Sequence, residues 1–230
     1  MSSKASPVSR AVPADTKGQI KAAAQMLFAR HGVEGVTVQQ IVAAAGQRNN
    51  AALHYHFGSK EELIRQLIVD GAAVLDERRQ AMLRDMDVRG GPSDIREVLL
   101  ILIMPVIELA EDARWRGYIR FTSNLQTSDR ETLRAALSHR WNAGYVTCFA
   151  HLKRLIPQPV ELVEQRLTLF AIYANAILSA REEAIEKRKS KQSRLWDQRF
   201  TIENILDTLE ATLVCKPSSA TLENLTADKM

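Results

Sequence analysis

Six residues within one stretch of eight, Arg48, Asn49, Asn50, Ala51, His54 and Tyr55, have the side chains to read a nucleic acid. An arginine fork matches guanine O6 and N7, and an asparagine amide matches adenine N6 and N7, each through two parallel hydrogen bonds. Leu53 and Phe57 form an apolar i,i+4 pair in the same stretch. A helix over about Asn49 to His56 would therefore bury one side and turn its polar groups outward. The competing reading is a solvated turn with ordinary polar caps. Catalysis has no comparable signal: the chain lacks a nucleophile elbow, HExxH, a phosphate-cradling glycine loop and a Glu-x-x-His pair. Cys148 and Cys215 show neither CxxC nor Cys/His spacing, so no zinc site or disulfide framework is expected. The expectation is a protein that is not an enzyme and needs no metal or cofactor.

The elements that must hold these residues are legible nearby. Val38, Ile41, Val42 and Ala45 recur at helical spacing. Thr37 with Gln40 makes a capping box before them, and Gly46 ends the run. Helix, tight turn and polar second helix together predict a helix-turn-helix, whose second helix enters the DNA major groove. Upstream, Thr16 and Gln19 suggest another capping box for a helix with Ile20, Ala24, Leu27 and Phe28 on one face, closed by Gly32. Downstream, Ser59 and Glu62 suggest a third, opening a helix to about Arg84. Lys60 then sits in a first turn where the helix dipole disfavours a cation, so an external phosphate is the better reason for it.

The segments AAAQMLFARHGVEGVTVQQIVAAAG and LHYHFGSKEEL carry a resemblance. Over about Thr16 to Leu67 the chain resembles the DNA-binding domain of the TetR family of bacterial transcriptional regulators. Two departures stand out. One extra residue lies between Gly46 and Phe57, and His54 stands where the family usually has its first tyrosine. The resemblance implies phosphate contacts from Thr37, Gln39, Tyr55 and Lys60. It implies a ligand cavity in the helical body, for which Trp115, Tyr118, Phe121, Trp141, Tyr145, Phe149, Phe170 and Tyr173 are the candidates, with Asn175 and His139 beside them. Aromatics at helical spacing are also ordinary core. It further implies a homodimer formed by the last two long helices, on a palindromic operator, with a small hydrophobic or aromatic effector.

Charge and patterning agree with this division. The chain of 230 residues has a net charge of +4, all of it within residues 1–65, which hold eight Lys/Arg and four Asp/Glu. A local excess of this sign suits phosphate contact. Beyond Gly90-Gly91-Pro92, Ser93 should cap a nearly all-round apolar helix kinked by Pro105. Then come a helix over about Trp115 to Leu125, a long one from Ser128 to Leu155, another over about Val160 to Lys187, and a last over about Phe200 to Val214. No strand alternation appears, so the fold is expected to be all-α: a three-helix helix-turn-helix domain followed by a larger helical bundle. The expected division is a disordered basic arm at 1–14, a DNA-binding domain at 15–62, a ligand-binding and dimerisation domain at 63–215 and a flexible tail at 216–230. The longest apolar run, Val98 to Ile107, is too short to span a bilayer, and a cytoplasmic location without membrane contact is expected. The functional expectation is a ligand-responsive repressor; the alternatives are a DNA-binding regulator without an effector (partner-controlled or architectural) and, less favoured, a helical-bundle enzyme.

Overall fold

The computed structural model describes residues 15–138, 142–187, 191–196 and 198–227. The expected arm at 1–14, together with His139 and Trp141, lies outside the described residues. Those residues contain helices and no strand, in the order α1 (Thr16–His31), α2 (Val38–Ala44), α3 (Ala51–Phe57), α4 (Lys60–Val88), α5 (Ile95–Glu111), α6 (Tyr118–Ser128), α7 (Arg130–Leu137), α8 (Ala143–Leu155), α9 (Val160–Glu186), α10 (Lys191–Trp196), α11 (Thr201–Val214) and α12 (Ser219–Ala227). A single 3-10 turn, Ala113–Trp115, precedes α6. None of the described helices is long and apolar enough to cross a membrane.

The first three helices follow from local chemistry. Thr37 caps α2 with both halves of the predicted box: its hydroxyl accepts from Gln40 N at 3.2 Å, and Gln40 Oε1 accepts from Thr37 N at 2.8 Å. Gly46, at φ +69, ends the helix in a Schellman turn. Its N–H donates to Ala43 O at 3.0 Å and that of Gln47 to Val42 O at 2.9 Å. Ile20, Ala24 and Phe28 of α1, Ile41 and Val42 of α2, and Leu53 and Phe57 of α3 meet in one core. The core continues without a break into the body, and α4 runs straight through the expected boundary at 62/63.

Several predicted caps are replaced by a neighbouring carboxylate. Asp15, not Thr16, caps α1 by accepting from Gly18 N at 3.1 Å. Asp94, not Ser93, caps α5 by accepting from Glu97 N at 2.8 Å. An anion at a helix N-terminus gains from the dipole as well as from the hydrogen bond, which a hydroxyl does not. Ser59 does accept from Glu62 N at 3.1 Å, but the Glu62 carboxylate turns to Arg65 and Gln66, so only half of that box forms. The long helix expected from Ser128 to Leu155 is two helices. α7 begins after Asp129 and stops at Leu137, and α8 begins at Ala143; each packs separately on α4. Pro105 sits inside an uninterrupted α5, whose buried residues lie all round it, as expected. The segment read as a loose tail contains α12, which buries no residue.

α4 and α6 touch where Gly71 meets the Tyr118 ring. A Cβ on Gly71 would lie 2.3 Å from Cε2 and Cζ of Tyr118, which is buried and donates its hydroxyl to Ile68 O at 3.0 Å. Helix propensity favours alanine over glycine by about 1 kcal/mol, whereas overpacking costs about 1–3 kcal/mol. The clash is against a fixed ring, so it should decide the sign. Gly71→Ala is expected to lower the thermal midpoint, checked by circular dichroism melting; a raised midpoint would show that Tyr118 moves aside freely.

Candidate functional site

The loop between α2 and α3 is longer than the sequence reading implied. The recognition helix starts at Ala51, and Asn49 and Asn50, read as its first residues, lie in the turn. The reason is a side-chain turn: Asn49 Oδ1 accepts from Ala51 N at 2.9 Å, a local bond that asparagine makes in preference to entering a helix. Thr37, Gln39, Arg48, Asn49, Asn50, Ala51, His54 and Tyr55 are all exposed. Tyr55 is 85 % exposed, a position that no packing argument explains. Arg48 has no hydrogen bond or ion pair among the described residues. His54 Nδ1 lies 2.9 Å from Gly58 O, which holds its ring against the helix end. Tyr55 and His56 meet edge to face with centroids 5.1 Å apart.

Lys60 is the exception. Its ammonium donates to Val33 O at 2.7 Å and lies 5.9 Å from the centroid of Phe28. The carbonyl of the loop before α2 thus takes one of the three N–H donors of an ammonium that the sequence reading gave to an external anion. The half-buried ammonium sits at the edge of the helix-turn-helix rather than out in solvent.

Behind this surface, α6 joins the N-terminal helices to the body. Phe121 stacks on Phe28 of α1 with centroids 5.6 Å apart. Asn124 donates to the carbonyls of Phe28 and Ala29, each at 3.3 Å, and Gln25 donates to Arg116 O at 2.9 Å. The other end of α6 is held by the buried Glu182 of α9. Its Oε1 accepts from Gly117 N at 3.0 Å and Ile119 N at 3.4 Å; its Oε2 accepts from Arg120 N at 2.9 Å and Nε at 3.2 Å. Burial pushes this carboxyl above its ordinary value, against the pull of those N–H groups and of the guanidinium. Glu186, one turn further along α9, bridges Arg120 to Arg30 of α1. None of this was visible in the sequence, because the partners are separated by 62 residues or more.

The body encloses a cavity of about 340 Å³ between α4, α5, α6, α7, α8 and α9. Of the aromatic residues named from the sequence, Tyr118, Tyr145 and Phe170 line it. Phe149 lines an adjoining groove of about 550 Å³ that shares Tyr145, Gln126, Arg130 and Asn175 with the cavity. Trp115, Phe121 and Tyr173 line neither. Phe121 is spent on the α1 contact, Trp115 packs edge to face on Tyr118, and Tyr173 donates to Thr208 of α11 at 3.2 Å. The spacing marked these residues as inward-facing without indicating which neighbour each would meet.

Of the polar part of the cavity, the sequence reading named Asn175 but missed the arginine. Arg79 of α4 lines it among Leu102, Ile103, Val106 and Tyr145. Its guanidinium donates to Leu102 O at 3.0 Å and lies 5.8 Å from the Tyr145 centroid. Its Nε is buried without a partner. Burial pulls the group below its ordinary value, partly offset by Cys148, Tyr145, Asp76 and Tyr118. An unsatisfied buried donor costs about 1–3 kcal/mol, more when charged, so its retention needs a reason. Burial likewise pushes the Tyr145 hydroxyl up to about 12 and the Cys148 thiol up to about 11, leaving both protonated at neutral pH. The only sequence signal for Arg79 was an arginine within the periodic run of α4, which reads equally well as a solvated face.

The profile of bacterial regulatory proteins of the tetR family matches residues 20–67, from the middle of α1 into α4. A stretch of 65 residues is 38% identical to the HTH-type transcriptional repressor AcnR of Corynebacterium efficiens, covering 28% of this chain and 34% of that relative. The match therefore spans about a third of the curated relative's length. Among solved structures, a putative tetR family transcription regulator from Shewanella sp. PV-4 superposes with a TM-score of 0.56 at 16% identity, over 87% of this chain and 99% of that one. The fatty acid degradation regulator FadR from Bacillus halodurans superposes with a TM-score of 0.52 at 18% identity, over 86% and 96%. At these identities the two structures establish a shared fold through the body, and the family profile covers only the stretch from within α1 into α4.

Proposed function

We propose that this chain, whose residues 20–67 match the profile of the tetR family, is a ligand-responsive repressor that binds a palindromic operator as a homodimer. The observation that carries the reading is the outer face of the helix-turn-helix, where Arg48, Asn50, His54 and an 85 % exposed Tyr55 project with little intramolecular use. Side chains so placed can enter a major groove without first breaking contacts. Thr37, Gln39 and Lys60 flank that face and hold phosphates. The dimer forms through α9 and α11. Leu169 and Ile172 of α9 are exposed apolar residues in support of this, a seam that a helix pair from a second copy would bury.

The control step is a population shift. α6 is a wall of the cavity through Tyr118, Ile119, Thr122 and Gln126, and on its other side holds α1 through Phe121 and Asn124. An effector that fits the cavity better when α6 is displaced also displaces α1, and with it the recognition helix. The effector must bind the DNA-incompetent state more tightly, since equal binding to both states shifts nothing. A regulator without an effector would not need a cavity on the same helix that grips the DNA-binding unit.

Selecting bound duplexes from a random library tests the reading. A palindrome bound by a dimer is expected; failure of folded protein to enrich any sequence at any salt would overturn it. With the selected duplex, Lys60→Ala is expected to weaken binding to every sequence alike. It should also lower the slope of log K against log salt by about one phosphate's share per protomer. An unchanged slope would assign Lys60 to the Val33 carbonyl alone.

A further inference from the structure

We propose that the body cavity takes an organic carboxylate, with its anionic head on Arg79 and its apolar part against Leu102, Ile103, Val106 and Phe170. The inference rests on the reading above, in that it names the class of the effector. Arg79 has five N–H donors in a planar fork. One reaches Leu102 O, a carbonyl three residues before Pro105 in α5, so the side chain has a structural use for one arm. Its Nε remains buried and unpartnered beside the cavity. No carboxylate lies within ion-pairing distance of it among the described residues. Asp76, one turn back on the same helix, is already engaged: its Oδ1 accepts from Gly144 N at 2.7 Å and its Oδ2 from Gln80 Nε2 at 2.5 Å. The guanidinium therefore faces apolar walls with its charge uncompensated by contact.

A bidentate carboxylate supplies what that arrangement lacks, two acceptors in the plane of the fork and the opposite charge. A neutral polar ligand would satisfy the donor but leave the charge. A phosphate would bring a second negative charge into a volume of about 340 Å³ in which the exposed Arg130 is the one other cation among the lining residues. Tyr145 and Asn175 add neutral polar atoms at the cavity wall, and the exposed Arg130 and Gln126 stand where it opens into the adjoining groove, an approach of matching charge. Arg79 also lies on α4, the helix that begins directly after the recognition helix. Drawing the fork toward a ligand thus acts on the helix that follows the recognition helix into the body.

The experiment is isothermal titration of the full-length protein with hexanoate, octanoate, decanoate, benzoate and phenylacetate, each paired with its primary amide. At least one carboxylate is expected to bind at one per protomer, about tenfold or more tighter than its amide. Arg79→Met, shown folded by circular dichroism, is expected to lose that preference while keeping the amide's affinity. Arg84→Ala, exposed on the same helix and outside the cavity, is expected to keep it. The comparison of carboxylate with amide on the unmodified protein stands even if the Arg79 variant does not fold. Equal affinity for acid and amide, a preference that survives Arg79→Met, or no binding by any acid in the panel would each overturn the proposal. An amide that releases the selected operator where the acids do not would sink the carboxylate and leave the ligand-responsive reading intact. An acid that binds through Arg79 but leaves operator affinity unchanged would do the reverse.

Discussion

Glu182→Ala is expected to lower the thermal midpoint by about 6–20 °C. The carboxylate does two things at once that no neighbouring group can take over. It accepts three backbone N–H groups at the start of α6, from Gly117, Ile119 and Arg120, and it pairs with the Arg120 side chain. Gly117, the residue before α6, has no side chain with which to cap it, so the cap comes from α9 instead. Removing one partner of a buried pair costs about 3–5 kcal/mol, because the other is left charged and unpaired. For a chain of this size each kcal/mol moves the midpoint by about 2–4 °C. Glu186 retains its bond to Arg120 and moderates the loss toward the lower end. Glu182→Gln should recover little of it, since either orientation of the amide turns an N–H donor toward groups that themselves donate. A melting scan with both variants checks this. A loss under about 2 °C, near the size expected of an exposed substitution, would mean that water replaces the carboxylate at the α6 end.

Arg48→Ala is expected to leave stability within about 0.5 kcal/mol of the unmodified protein, as for other exposed sites without partners, yet to cut operator affinity heavily. A bidentate arginine–guanine contact is worth about 1–3 kcal/mol of discrimination. A homodimer on a palindrome makes it twice, so the combined loss is about 2–6 kcal/mol, roughly thirtyfold to twenty-thousandfold at fixed salt. Arg48 is the residue for which this is most direct, being exposed in the turn that leads into α3 and bound to nothing among the described residues. Asn49 is a poorer candidate, since its side-chain oxygen is committed to the turn. Repeating the duplex selection with the variant separates the outcomes. Relaxed preference at one position per half-site identifies Arg48 as a base reader. Uniform weakening with a shallower salt slope assigns it to the backbone, and no change removes it from the interface.

Much of what has a local cause was legible in the sequence by itself. Thr37 and Gln40 cap each other across three residues, Gly46 reverses the chain within a turn, and the i,i+4 pair Leu53 and Phe57 turns one side of α3 inward. These bonds form between groups that any helical path brings together, so the helix-turn-helix and its exposed polar face were readable without a fold. The carboxylate caps at Asp15 and Asp94 were near misses of the same kind, in which two adjacent residues compete for one set of N–H groups. Only the tertiary structure decided the rest. Glu182 caps a helix that begins more than 60 residues before it in the chain. Lys60 finds the Val33 carbonyl, and Tyr118 rather than Trp115 or Tyr173 reaches the cavity. Asp76, one turn before Arg79 on α4, accepts from Gly144 of another helix instead of pairing with Arg79. Helical periodicity tells which side of a helix is inward; it carries no information about which helix arrives on that side, and it is the arriving helix that decides whether a buried polar group is satisfied or left open.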